Sequence, residues 1–433
     1  MAGPISLDAK AGGPSNATIY SWIVFALTFG LLISDYMARQ VLNAVFPLLK
    51  AEWQLTDGEL GLLSGIVAMM VGVLTFPLSL AADRWGRVRS LTLMAIVWSL
   101  ATLFCAMATS FEQMLVGRAL VGIGEAAYGS VGIAVVISAF PQRLRATLAA
   151  AFMAGGLFGQ VLGVAVGGTI AASHGWRWAF LAIGICGLVL GALYPLLVRE
   201  KRVRELAGLD QADAPAEGLD AAPARAPLKA LIASRSVRLA YLGSGLQLFA
   251  AGAMPAWLPS FLNRHYGFAV DRAGQIAALL LLACGVGMIA CGMVSDRLSR
   301  DRPDQKINLA IGYSFGTAVC LTLAFLLPMG TLQLVLIACA MFLVAGTVGP
   351  TGAMVANLTP LSIHGSAFAT LTLANNLIGL ATGPILTGRL ADAIGLANAF
   401  RFLPLPCVTA GIVFALMRRS YLADLERHQV AQA

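Results

Sequence analysis

Four ionisable side chains stand inside runs that are otherwise apolar: Asp35 and Arg39 in one, Arg118 and Glu125 in another. Seven residues separate Arg118 from Glu125, and at 3.6 residues per helical turn this returns the glutamate to nearly the same face, about 10 Å further along. Asp35 and Arg39 are an i, i+4 pair and share a face in the same way. Two acids and two bases that meet in one pocket form a neutral cluster when all are ionised. Protonating one acid leaves the cluster positive and ready for an anion, which is a chemical basis for coupling protons to an anionic solute. The bland alternative is a static network that holds two helices together. Against it, ionisable groups within hydrocarbon usually face a partner or a water-filled cavity.

Such residues need helices in a bilayer to position them, and the composition supplies these. The 433-residue chain is 58% hydrophobic and 12% charged, and its mean hydropathy is +0.81. Soluble domains carry roughly 25% charged residues. Apolar runs of about 20 residues read as membrane helices, because hydrocarbon requires every backbone group to be paired within the segment. Twelve such spans can be drawn: 18–46, 58–82, 88–108, 111–140, 146–172, 178–198, 237–262, 273–294, 309–327, 332–358, 366–388 and 397–417. An even number returns both termini to one side. With span one running outward and span four inward, Arg39 and Arg118 each fall about two turns from the outer boundary, and Asp35 and Glu125 lie deeper.

The formal charge of +8 points to a membrane surface, not to nucleic acid, because of where it sits. Of the 29 Lys and Arg, 21 fall in alternate loops or in the tails, among them Arg84, Arg87, Arg143, Arg202, Arg235, Arg300 and Arg419. The positive-inside rule makes that side the cytoplasm, with both termini inside. The segment 1–17 is expected to be a cytoplasmic tail, since it lacks the basic start and cleavage site of a signal peptide. A charged, Ala- and Pro-rich linker, 199–235, separates six spans (18–198) from six more (236–418), and 419–433 forms a second tail. The seven cysteines stand singly within apolar runs, with no metal spacing. The four histidines are scattered, and no nucleophile elbow, HExxH or phosphate-cradling loop occurs. Neither an enzyme nor a cofactor or metal is expected.

The two halves share a local motif. Ser79-Leu-Ala-Ala-Asp83-Arg84-Trp-Gly86-Arg87 follows span two, and Gly292-Met-Val-Ser-Asp296-Arg297-Leu-Ser-Arg300 follows span eight. Internal duplication of this kind is expected of a secondary transporter built from two six-helix bundles. With the arginine of span four and Gly175-Trp-Arg-Trp-Ala-Phe180, the chain resembles the major facilitator superfamily over essentially its whole length. Tyr36-Met-Ala-Arg39, Gly117-Arg-Ala-Leu-Val-Gly-Ile-Gly-Glu-Ala-Ala-Tyr128 and Asn376-Leu-Ile-Gly379 are most similar to its spinster-like members. The resemblance implies an all-α fold of twelve transmembrane helices in two pseudo-symmetric bundles, working as a monomer by alternating access. It also implies a sphingoid-phosphate, lysophospholipid or other amphipathic anion as substrate, with protons as the coupling ion. Spinster-like chains usually carry Asp just before the arginine of span one; Ala38 stands there, and Asp35 is the nearest acid.

The expected roles follow. Glu125 and Asp35 exchange protons, and Arg39 and Arg118 bind the negative end of the substrate. Tyr36, Tyr128 and Gln160 from one half, with Gln247, Trp257, Asn375 and Asn376 from the other, complete the cavity. Each of these uncharged residues could instead be an interhelical hydrogen bond or an interfacial anchor. Spans seven to twelve carry no charge away from their ends, where Arg401 stands, so the first half should hold the charged end of the ligand. Asp83, Arg84, Gly86 and Arg87, with Asp296 and Arg297, should gate the inner face, the acid stabilising the N-terminus of a helix in the opposite half. Gly155, Gly159, Gly163 and Gly167 form a stripe on span five whose place suits rocking of the halves. The expected function is a proton-coupled transporter of an amphipathic organic anion in the bacterial inner membrane. A carboxylate or aromatic-acid symporter, a multidrug proton antiporter, and a receptor or scramblase without coupling are the alternatives.

Overall fold

The computed structural model describes residues 16–206, 231–232, 234–300, 302, 304–360 and 363–432, less the side chains of residues 16, 17, 83, 143, 146 and 428–432. The first fifteen residues, most of the linker and the Asp83 carboxylate thus lie outside the described residues. The rest is helical. In the first half α1 (Asn16–Trp53), α2 (Asp57–Trp85), α3 (Arg87–Met107), α4 (Phe111–Glu125) with α5 (Tyr128–Ser138), α6 (Gln142–His174) and α7 (Trp176–Leu197) make six crossings, followed by the short α8 (Glu200–Leu206). In the second, α9 (Arg235–Tyr266), α10 (Val270–Leu298), α11 (Gln305–Leu326), α12 (Thr331–Val344) with α13 (Val348–Asn357), α14 (His364–Ala374) running through a π-helical segment (Asn375–Ala381) into α15 (Thr382–Ile394), and α16 (Leu396–Phe400) with α17 (Pro404–Gln432) make six more.

Eleven of these crossings are apolar enough to span a bilayer on composition alone. The twelfth, α9, is the exception because most of its surface meets protein instead of lipid: Gly243, Ser244, Gly245 and Gln247 are buried along it. The duplication shows in the breaks. Span four is interrupted at residues 126–127 and span ten at residues 345–347, each after about four turns. Glu125 is the last residue before the first break.

Three sharp corners share one geometry. Gly86, Gly175 and Gly395 have φ of +95°, +92° and +82°, and each sends its N–H back to the carbonyl four residues earlier, on Ala82, Ala171 and Ala391. The next helix starts at the following residue. A side chain would strain this left-handed backbone, which is why glycine stands at all three.

The halves meet along three helix pairs: α2 with α15 and its π-helical start, α6 with α10, and α1 with α9. A Cβ on Gly61 would collide with the Pro384 carbonyl, one on Gly65 with Ala381, and one on Gly72 with Asn376. As residue numbers rise in α2 they fall across the interface, so the two helices run antiparallel. The polar links that the structure describes between the halves all lie at the Asp57 end of this pair. The glycine stripe of span five does not serve this interface, contrary to the sequence expectation. Gly155 faces Phe29, Gly159 faces Ile33 and Tyr36, Gly163 faces Met37 and Gly167 faces Val41, all of α1 in the same half. A four-residue period selects a single face, and that face turns inward. The neighbouring face, with Leu157, Val164 and Gly168, meets Gly274 and Gly285 of α10.

Candidate functional site

A cavity of about 180 Å³ lies between the halves, lined by Tyr36, Arg39, Gln40, Asn43, Ser64 and Gln160 on one side and by Ala251, Gly252, Pro255, Leu380 and Pro384 on the other. Its polar wall is an ordered chain. Gln40 donates to Gln160 Oε1 at 3.4 Å, Asn43 to Gln40 Oε1 at 2.6 Å, and Ser64 to Asn43 Oδ1 at 3.0 Å. The helix period puts Asp35, Arg39 and Asn43 on one line of α1, with Tyr36 and Gln40 beside it. Span two supplies Ser64, and span five supplies Gln160 one residue beyond Gly159, where the close approach to α1 brings it into reach.

Arg39 connects this cavity to the buried acids. Its guanidinium lies 3.9 Å from Glu125 Oε2, with the arginine side chain 19% exposed and the glutamate 3%. The Asp35 and Glu125 carboxyl groups lie beside each other there, and no N–H or O–H among the described residues is aimed at Asp35 Oδ1 or Glu125 Oε1. A carboxylate is an acceptor only, so two carboxyl groups can bond to each other only when one carries a proton.

Arg118 is placed differently from the sequence expectation. It is wholly buried and absent from the cavity lining, donating to the carbonyls of Ala38 and Arg39, each at 2.8 Å, and of Leu63 at 3.4 Å. It braces α1 and α2 from behind the site. A seven-residue spacing fixes the face that Arg118 shares with Glu125 but not what that face touches, and on this face the α1 backbone comes first. Tyr128 is buried and donates to the Thr28 carbonyl. Gln247 bonds to Thr317 Oγ1 and the Val344 carbonyl at the span-ten break. Trp257 donates to the Pro384 carbonyl and packs on Phe46. Asn376 donates back to Thr372. Asn375 is half-buried, with its carbonyl oxygen free of donors among the described residues. Of the nine expected binding residues, Arg39, Tyr36 and Gln160 line the cavity. Gln40, Asn43 and Ser64 were missed, although the polar line on span one signals the first two.

The expected gate residues stand at the opposite end from Asp57. Arg84, Asp296 and Arg297 are exposed there. The helix N-terminus after Gly86 is held by Glu200 of the same half, which accepts from Arg87 N at 3.2 Å and Val88 N at 2.7 Å.

Two broken spans, antiparallel bundle contacts and a polar cavity between duplicated halves are the architecture of a secondary transporter, not of an enzyme. The chain belongs to the Major Facilitator Superfamily, whose model matches residues 28–352. It is 24% identical over 379 residues to the hexuronate transporter of Bacillus subtilis (strain 168), covering 86% of this chain and 88% of that one. It is 24% identical over 419 residues to the D-galactonate transporter of Escherichia coli O6:H1, covering 92% and 95%. A crystal structure of a bacterial homolog to the human lysosomal transporter Spinster, in an inward-facing and unoccupied conformation, superposes with a TM-score of 0.79 at 20% identity, over 95% of this chain and 99% of that one. The chain is therefore a multi-pass membrane transporter for small organic substrates, with a spinster-like fold.

Proposed function

We propose that this protein is a proton-coupled transporter of a small hydroxylated organic acid, working by alternating access between a closed Asp57 end and the opposite end. The observation that carries the reading is the cavity itself: Arg39 in its wall, the Asp35 and Glu125 pair directly behind, and amide and hydroxyl groups along the same side. Arg39 receives the carboxylate. Gln40, Asn43, Ser64 and Gln160 offer donors and acceptors to hydroxyl groups, and Pro255, Leu380 and Pro384 form the apolar face opposite. A polar wall of this size suits a sugar acid better than the acyl chain of the amphipathic anion expected from sequence. The relatives named for hexuronate and galactonate support the same class.

Charge balance then dictates the coupling. With one proton on the carboxyl pair, Arg39 and Arg118 leave the cluster at a net +1. A bound carboxylate brings it to zero. With no proton and no substrate the cluster is also neutral. Each half-loaded form carries a net charge in a low-dielectric site and is disfavoured. The two neutral forms are the ones that cross, so one proton accompanies one monovalent acid.

The test uses proteoliposomes loaded with a pH-sensitive dye, given galacturonate, galactonate or a lysophospholipid, with wild type and Glu125→Gln. The expected result is acidification driven by the sugar acids in wild type, with Glu125→Gln still exchanging labelled sugar acid for unlabelled but moving no protons. Proton movement driven by the lysophospholipid alone would overturn the substrate class. Sugar-acid transport without any pH change would overturn the coupling.

A further inference from the structure

The Asp57 end of the interface holds an arrangement that no expected gate residue covers. The Asp392 carboxylate, at the end of α15, accepts the N–H of Asp57 at 2.6 Å and of Gly58 at 2.8 Å. These are the first two residues of α2, in the opposite half, where a helix presents unpaired N–H groups and the positive end of its dipole. The Asp57 side chain, 5% exposed, accepts from Lys50 of its own half at 2.6 Å and from Arg264 of α9 at 2.9 Å. Two carboxylates, one from each half, therefore hold the halves together at this end. The backbone approach is close enough that a Cβ on Gly388 would collide with the Asp57 carbonyl.

Asp392 has a positional twin. It stands three residues before Gly395, as Asp83 stands three residues before Gly86, and both glycines make the same left-handed corner. Asp83 ends span two and Asp392 ends span eleven, and these two spans are antiparallel partners across the halves. The two residues thus stand at opposite ends of one interface.

We infer that Asp392, with the Asp57 and Arg264 pair, is the lock that keeps the Asp57 end shut, opposing the gate expected around Asp83 at the other end. Closing the Asp57 end seats Asp392 on the N-terminus of α2. Opening it requires both bonds to break, along with the ion pair to Arg264. The reading needs no assumption about substrate or proton, so it can fail independently of the function proposed above.

The test is a distance measurement across the Asp57 end, with spin labels on Ser173→Cys of the first half and Met329→Cys of the second, in detergent-purified full-length protein whose native cysteines are replaced. Wild type should give mainly the short distance. Asp392→Ala should raise the ratio of open to closed molecules about tenfold or more, the scale of losing charge-assisted hydrogen bonds. Asp392→Asn, which keeps one acceptor, should fall between. Arg264→Gln should shift the ratio in the same direction, and Asp83→Asn in the opposite one. If Asp392→Ala does not fold, Asp392→Asn and Arg264→Gln carry the test. An unchanged distance distribution in the folded variants, or shifts of the same sign for Asp392 and Asp83, would overturn the inference.

Discussion

Arg118 has no exposed surface and commits its guanidinium to three main-chain carbonyls, whereas Arg39 reaches both the cavity and Glu125. The two arginines should therefore fail in different ways when replaced. Arg118→Met removes the hydrogen bonds by which a buried cation ties α1 and α2 together, at about 1.5–3 kcal/mol for a hydrogen bond to a charged group, and should lower the melting temperature in detergent whether or not substrate is present. Arg39→Gln leaves the packing intact and removes the cation from the cavity wall. It should keep the wild-type melting temperature while abolishing the stabilisation that wild type gains from added sugar acid. Thermal melts of both variants with and without galactonate check this. A ligand-dependent shift that survives in Arg39→Gln would move the carboxylate site elsewhere.

Two glycines on neighbouring helices look alike in the sequence and should behave differently. Gly61 of α2 faces the Pro384 carbonyl of the opposite half, and Gly159 of α6 faces Ile33 and Tyr36 of its own. A leucine at 61 cannot coexist with closure at the Asp57 end, so Gly61→Leu should populate the state open there, seen as increased reactivity of a cysteine introduced in the cavity wall at Ser64. Gly159→Ala should lower the melting temperature without changing that reactivity, because it strains one half only. What was legible follows the same logic. Membrane crossings declare themselves by apolar length, and the duplication by its repeated Asp-Arg motif, so the architecture could be read directly. The breaks at residues 126–127 and 345–347 could not, since Ala, Gly and Thr fit a continuous apolar run as readily as an interruption. The polar line through Asp35, Arg39 and Asn43 was legible as spacing. The role of Arg118 and the partner of the span-five stripe were not, because helical periodicity names a face and leaves its neighbour open.

At the scale of the whole molecule, the distribution of partnered charge sets an orientation. At the Asp57 end Lys50 and Arg264 pair with Asp57 and Arg177 with Glu52 at 2.8 Å, leaving Arg272, Arg389 and Arg401 exposed there. At the other end Arg84, Arg89, Arg297, Arg300, Arg418 and Arg419 are all exposed. Surplus positive charge resists transfer across a membrane, so the positive-inside rule predicts that the end carrying it lies in the cytoplasm. On that expectation the Asp57 lock faces outward. A membrane-impermeant maleimide should label Met329→Cys in intact cells and Arg300→Cys only after permeabilisation, the lipid-facing native cysteines staying unreactive in both cases. The opposite pattern would invert the molecule in the bilayer. Asp392 would then guard the inner face.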